Sequence, residues 1–240
     1  MNPVILVTSC RGDVEKGRQQ AQRDTCFSSS AMPYRFLLGQ GNTKHNEDEL
    51  VLDVPDDYDS LFLKVREGFR WALENGYDYI FKCTTDVYCF TDRLLKSGFE
   101  QFDYSGRFVD NTQADWRLLV EQHKTFDLNG NHIWASGFGC WFSKRAAQQL
   151  VTAETRTQTP EWFYDDWYTG TILAESGIQG TQDYRYHPGP YDACARLCYK
   201  ETEPFLNDLC AIHLGESTDV YDKARMYAIH NGASVYELVD

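Results

Sequence analysis

Residues Ser60–Asp86 read SLFLKVREGFRWALENGYDYIFKCTTD. Leu61, Val65, Phe69 and Leu73 recur every four residues, and Phe62 and Trp71 widen the stripe. That is the pattern of a helix with one buried face. Gly76 suits the end of such a helix, because glycine tolerates the left-handed backbone that commonly closes one. Tyr77–Lys82 then enters a strand, and Asp86 lies just past its end. Working towards the N-terminus, Leu50–Val54 (LVLDV) reads as a short strand and Tyr34–Leu38 (YRFLL) as another. Glu15–Thr25 suits a helix despite Gly17, and Val4–Thr8 (VILVT) is the continuous apolar run of a buried parallel strand. Strand, helix, strand, helix, strand is the organisation of an α/β sheet. Ligands of such sheets bind beyond the carboxyl ends of the strands, which is where Asp86 falls.

Beyond Asp86 the pattern continues with a helix after Asp92 and an aromatic, glycine-rich run at Ile133–Phe142 (IWASGFGCWF). A helix at Ser143–Val151 begins with a serine cap. Glu161–Gly170 (EWFYDDWYTG) sets the adjacent acids Asp165 and Asp166 among aromatics, and a helix continues through Thr171–Ser176. The tail carries a helix-like DKARMYAIHNG and a short VYELV run.

The chain has 240 residues, 42% hydrophobic and 15% aromatic, with a net charge of −13. This composition supports a sizeable folded core. The negative charge argues against extensive nucleic-acid binding, which needs basic surface. No stretch reaches the roughly 18 apolar residues of a membrane span. The opening residues lack a basic segment and read as a first strand, so a cytoplasmic location is expected. The eight cysteines sit mostly in apolar runs and read as buried or half-buried thiols; Cys194 and Cys198 lack a compact set of further zinc ligands. No phosphate-binding loop, dinucleotide fingerprint or nucleophile elbow occurs.

Several residues carry candidate chemistry. A carboxylate at a strand end, Asp86, can hold a hard divalent cation, with the hydroxyls of Thr84 and Thr85 beside it. A capping or turn role is the plain alternative. Asp165 and Asp166 suit a helix start, but aromatic walls beside an acid also suit a sugar site with a general base. His213, in CAIHLG, could complete a cation site with Asp86. Arg18 and Arg23 could meet a diphosphate, and Lys82 either joins them or pairs with a buried acid.

Taken in order, the segments resemble the β-1,3-galactosyltransferase-like family of inverting glycosyltransferases, which includes Fringe-type enzymes. GRQQAQRDTC (Gly17–Cys26) is similar to the family's arginine-rich opening helix, with Cys26 in place of a tryptophan. YRFLLGQ (Tyr34–Gln40) matches a strand followed by glycine. DVPDDYDSLFLKVREGFRW (Asp53–Trp71) resembles Asp-Phe-x-Asp-x-Tyr-x-Asn-Leu-Thr-x-Lys through Asp53, Asp56, Tyr58, Leu61 and Lys64. FKCTTDVY (Phe81–Tyr88) stands where the family shows Lys-x-Asp-Asp-Asp-Val-Phe, with Thr84 and Thr85 replacing two aspartates. ASGFGCWFS (Ala135–Ser143), DDWYTG (Asp165–Gly170) and His213 complete the series.

The resemblance implies a GT-A fold: one α/β domain spanning 1–240, with a central, mostly parallel sheet flanked by helices. Its 1–110 half would bind the nucleotide sugar, and its 111–240 half the acceptor. It implies a UDP-sugar donor, an acceptor hydroxyl on a glycan or other molecule, and Mn²⁺ or Mg²⁺. Carried over by position, Asp166 is the catalytic base, and Asp86 and His213 hold the metal. Arg18, Arg23, Asp56, Lys64, Lys82, Thr84, Thr85, Asp86 and Asp165 serve the donor site. Ser136, Gly137 and Gly139 shape its floor. A compact microbial or viral enzyme is the expectation. A silent nucleotide-sugar or glycan-binding module, a nucleotidyltransferase and a glycosyltransferase acting on modified DNA bases are the competing readings.

Overall fold

Strand alternation gives the molecule its two apolar sides. In β1 (Pro3–Thr8) Ile5 and Val7 join one buried cluster, while Val4 and Leu6 join another. This is the period-2 pleat with helices packed on both faces. The computed structural model describes residues 1–44, 46–109, 134–153, 165–187, 207–215 and 219–234.

The main sheet has seven strands in the order β3-β2-β1-β4-β7-β6-β8. Besides β1 these are β2 (Tyr34–Leu38), β3 (Glu49–Val51), β4 (Tyr79–Thr84), β6 (Tyr104–Val109), β7 (Trp134–Ser143) and β8 (Thr181–Gln182). The β3-β2, β2-β1, β1-β4 and β6-β8 pairings are parallel, whereas β7 runs antiparallel to both β4 and β6. A second sheet orders β5 (Val87–Cys89), β10 (Ala211–His213) and β9 (Tyr186–His187) as β5-β10-β9.

Helices α1 (Arg11–Glu15), α2 (Arg18–Asp24), α3 (Leu61–Glu74), α4 (Thr91–Leu95), α5 (Lys144–Thr152), α6 (Asp165–Glu175) and α7 (Asp219–His230) flank these sheets. On one face, α3 contributes Val65, Phe69 and Ala72, α5 contributes Ala146, Ala147 and Leu150, and α6 contributes Leu173. They cover Val4, Leu6, Leu37 and Ile80. Each fully buried Val, Leu or Phe side chain contributes about 1.5–3 kcal/mol. The opposite face packs Ala21 of α2 and Met226 and Ile229 of α7 over Val7, Phe36 and Phe81.

The periodic stripe at Leu61–Leu73 lies within α3, and Gly76 follows at φ 79°. Ser143 caps α5, its hydroxyl accepting the Ala146 N–H at 3.2 Å. One expected helix is corrected. Glu15–Thr25 is not continuous, because Gly17 adopts φ 73° and separates α1 from α2. The third strand is also shorter than read, ending at Val51. The six described cysteines are free thiols, half-buried at Cys10 and buried elsewhere. Cys194, Cys198 and the VYELV run lie outside the described residues.

Gly139 in β7 has φ 135°, and a Cβ there would stand 2.5 Å from Cζ of Phe81. Gly139→Ala is therefore expected to destabilise the fold by about 1–3 kcal/mol. A thermal midpoint equal to the parent's would show that this approach is not tight.

Candidate functional site

The site grows from the carboxyl end of β4. Ile80 lies in the cluster beneath α3, α5 and α6, and Phe81 and Cys83 lie in the other. By alternation Lys82 and Thr84 share the face of Ile80. Two residues further on, Asp86 occupies the turn into β5.

Three elements converge on Asp86. The Thr84 hydroxyl donates to Oδ1 of Asp86. β10 pairs antiparallel with β5, setting His213 opposite Val87. That register brings Nε2 of His213 within 3.3 Å of Oδ2 of Asp86. The Leu214 N–H donates to the Asp86 carbonyl at 2.8 Å and fixes the following turn. Helix α2 supplies Gln22, whose amide donates to the Thr84 and Val87 carbonyls at 3.1 and 2.8 Å. Burial pushes the Asp86 carboxyl up, but His213, the Thr84 hydroxyl and the Arg18 guanidinium outweigh it. Asp86 is thereby held well below the usual carboxylate range and stays ionised at neutral pH.

Gly215 completes this corner. A Cβ there would lie 2.6 Å from Nε2 of His213 and 2.7 Å from Oδ2 of Asp86. The missing side chain lets the backbone of Gly215 lie close against both groups, where any larger residue would clash. One carboxylate and one imidazole at a strand end suit a hard divalent cation completed by phosphate oxygens. Among the described residues no group of three or more His, Cys, Asp or Glu side chains is arranged to hold a metal by itself.

The second half of the site is built on Lys82. Its side chain is 3% exposed, and a buried ammonium needs charged partners. The first turn of α6 provides two. Lys82 Nζ donates to Oδ2 of Asp165 and, at 2.7 Å, to Oδ1 of Asp166. Asp165 is 8% exposed and Asp166 22%, so the second acid is the one nearer solvent. Gly137 of β7 abuts it, since a Cβ there would stand 3.2 Å from Oδ2 of Asp166. Burial first, then the Asp165 charge, pushes the Asp166 carboxyl up to about 6, against the pull of Lys82 and the Gly137 N–H. A carboxylate so placed is a stronger base than an exposed one.

Lys82 and Thr84 are two residues apart on one face of one strand, about 6.6 Å along it. Asp166 hangs from the first and Asp86 from the second.

The other residues singled out in the sequence take three kinds of position. Asp56 and Lys64 brace the loops after β1 and β2. Asp56 accepts from Lys64 Nζ at 2.6 Å, from the Arg11 and Gly39 N–H groups at 2.8 Å each, and from the Asn42 amide at 2.7 Å. Lys64 also donates to the Ser9 carbonyl at 2.7 Å. Arg18 bonds Asp13 at 3.1 Å and acts electrostatically on Asp86. Arg23 is engaged elsewhere, with both oxygens of Asp48 at 2.8 and 2.9 Å and with Glu49 at 2.9 Å, its guanidinium over the Phe36 ring. Thr85 is buried, and Ser136 and Gly139 lie on β7 with Gly137. Trp162 lies outside the described residues. Gln22 and Gly215 escaped the sequence reading. A glycine two residues after a candidate metal histidine was the available signal for Gly215, and Gln22 left none.

Comparison with known proteins gives a consistent result. The profile of the galactosyltransferase family matches residues 18–184, a stretch that includes Lys82, Asp86 and Asp166 and stops before His213. The UDP-GalNAc:beta-1,3-N-acetylgalactosaminyltransferase 1 of Mus musculus is 37% identical over 113 residues, 39% of this chain and 34% of that protein. Its Rattus norvegicus counterpart is 34% identical over 114 residues, with the same coverage. The chain thus spans about a third of the length of these curated relatives. Among solved structures, a glycosyltransferase involved in glycosylation of the major capsid of PBCV-1 superposes with a TM-score of 0.54 at 10% identity. That match covers 95% of this chain and 99% of the other. The galactosyltransferase LgtC, solved with donor and acceptor sugar analogues, gives 0.50 at 8% identity, covering 99% and 96%. The fold is therefore the GT-A-like α/β fold of glycosyltransferases: a central sheet flanked by helices.

Proposed function

The chain belongs to the galactosyltransferase family, and on that footing we propose that it is an inverting glycosyltransferase of the β-1,3 type. In this reading it moves a sugar from a UDP-sugar to an acceptor hydroxyl. The observation that carries the proposal is the pair of functional groups hung from β4. Asp166 is held through Lys82, and Asp86 faces His213 through the same strand's end.

The donor diphosphate lies beyond the carboxyl ends of β1 and β4, where the Asp56–Lys64 brace fixes the loops and Arg18 supplies positive charge. Arg23, committed to Asp48 and Glu49, supports α2 against β3. Asp86 and His213, 3.3 Å apart, are the residues that would hold Mn²⁺ or Mg²⁺. When bound, the cation neutralises charge developing on the departing UDP. Thr84 keeps the Asp86 carboxylate oriented, and with Thr84 and Thr85 in place of two of the family's aspartates the donor's phosphate oxygens would complete the ligand set. The 1–110 half is thus the donor half, with His213 reaching it from the other.

Asp166 Oδ2 takes the proton of the acceptor hydroxyl. The acceptor oxygen forms the new bond to the anomeric carbon, and the bond from that carbon to the UDP oxygen breaks, its electron pair leaving with UDP. Attack from the side opposite UDP inverts the centre. Gly137, lacking a side chain, lets β7 lie against Oδ2, and Asp165 balances the charge on Lys82.

A UDP-release screen across nucleotide sugars, with hydroxyl acceptors and with or without Mn²⁺, tests this directly. Release is expected with a UDP-sugar and is expected to need the cation. Calorimetry on Asp86→Ala should show Mn²⁺-dependent UDP binding weakened about tenfold or more, in the range for loss of a charged ligand. Identical UDP binding with and without Mn²⁺ would remove the metal role. Binding without release from any donor would point to a silent nucleotide-sugar module instead.

A further inference from the structure

The charges around Lys82 do not balance one to one. A single buried ammonium meets two carboxylates from consecutive residues of α6. Asp165 is the more buried acid, and its side chain has little access to solvent. It is therefore the natural counter-ion of Lys82, and Asp166 is the extra negative charge. We propose that Lys82 and Asp165 form a buried positioning pair for Asp166: Lys82 fixes Oδ1, leaving Oδ2 on the side of Gly137, and Asp165 keeps the charge of Lys82 from being spent wholly on Asp166. The inference rests on the reading of Asp166 as the base.

Two physical consequences follow. A lone Lys82 would pull strongly on Asp166 and make it a poor proton acceptor, since an opposite charge at this range favours the ionised acid. With Asp165 present that pull is divided. The raised affinity of Asp166 for its proton, caused by burial and by Asp165, agrees with this division. Burial works against the charge on Lys82, but Asp165 and Asp166 outweigh it and hold the ammonium well above its usual range. The other titratable groups acting on Asp166 or Lys82 are Cys140 of β7 and Tyr104 of β6. Burial pushes both up, so they are neutral where the base works. Among the described residues, tuning therefore falls to Lys82 and Asp165.

The test follows the titration of Asp166 in two ways, by the pH dependence of kcat/KM for UDP release and by carboxyl ¹³C NMR of the protein without donor. In the parent protein the acid limb and the Asp166 resonance should share a midpoint. Asp165→Asn, nearly isosteric, should lower both by about one pH unit or more, the size expected for losing a neighbouring like charge. Asp165→Glu should restore them. Lys82→Met should raise both and lower kcat; where it does not fold, the two Asp165 variants carry the test alone. Midpoints unmoved in Asp165→Asn would overturn the proposal even if Asp166 proves to be the base. Conversely, a moved NMR midpoint in a protein that releases no UDP would sustain the positioning pair while the transferase reading failed.

Discussion

Asp166→Asn should lower sugar transfer by roughly 10²–10⁴-fold, the usual loss on removing a general base, with UDP binding unchanged. The asparagine keeps the shape of the side chain. It loses the ability to take a proton from the acceptor. Lys82 retains Asp165, so its ammonium is still paired. The parent protein should show a matching pH dependence. Below about pH 6 the Asp166 carboxyl is protonated, and kcat/KM should fall by a factor approaching ten per pH unit. The variant's residual rate should lack that limb. Stability should respond in the opposite sense. A carboxyl whose folded-state pKa lies above its unfolded value stabilises the fold at low pH. That contribution is lost as pH rises from about 3.8 through about 6. At pH 8, therefore, Asp166→Asn should melt no lower than the parent. Full transfer by the variant would remove Asp166 from the chemistry, and a marked loss of thermal stability at pH 8 would assign it a structural role.

Asp56→Ala should produce the largest loss of stability. Its carboxylate, 12% exposed, is the partner of Lys64, which is 1% exposed. It also accepts the Arg11 and Gly39 N–H groups and the Asn42 amide. Removing it strands a buried ammonium and frees the N–H groups of Arg11 and Gly39 at once. Breaking a buried pair from one side costs about 3–5 kcal/mol, which for a chain of this length corresponds to a midpoint lowered by about 10 °C. Burial pushes the Asp56 carboxyl up, but the bonds from Lys64, Asn42, Arg11 and Gly39 outweigh it and hold it below its usual range. The stability it contributes is present above the unfolded carboxyl value and lost as pH falls through the depressed one. The gap between parent and variant should accordingly narrow on acidification. Thermal denaturation at pH 7 and pH 3 measures both effects. A midpoint shift under 2 °C at pH 7 would mean that Lys64 finds another partner and that Asp56 is no brace.

Much of this architecture is legible in the amino-acid sequence. The four-residue spacing in Leu61–Leu73 permits only a helix with one apolar face, and α3 follows it. Tyr34–Leu38 is β2 as read. The adjacent acids at the start of α6 fit its macrodipole. Reading Glu15–Thr25 as one helix failed because helix propensity weighs Gly17 lightly, whereas its left-handed backbone ends α1 outright. Arg23 shows a different limit. Its nearest charged neighbours in space lie 25 and 26 residues away in sequence, across a strand and a loop. Composition and periodicity carry no information about which acid an arginine meets.

Local periodicity and residue type thus settled where helices and strands form and that Asp86 lies past a strand end, because those properties depend on contacts within a few residues. The site depends on contacts across the chain. Asp166 reaches Lys82 over 84 residues, and His213 reaches Asp86 only because β10 pairs with β5 in one register. A shift of one residue in that register would turn the imidazole to the opposite face. The shared ammonium, the close approach of Gly215 to His213 and Asp86 and the excess charge on Asp166 were therefore decisions of the tertiary structure, since the balance of burial and charge that creates them exists only once these elements are packed together.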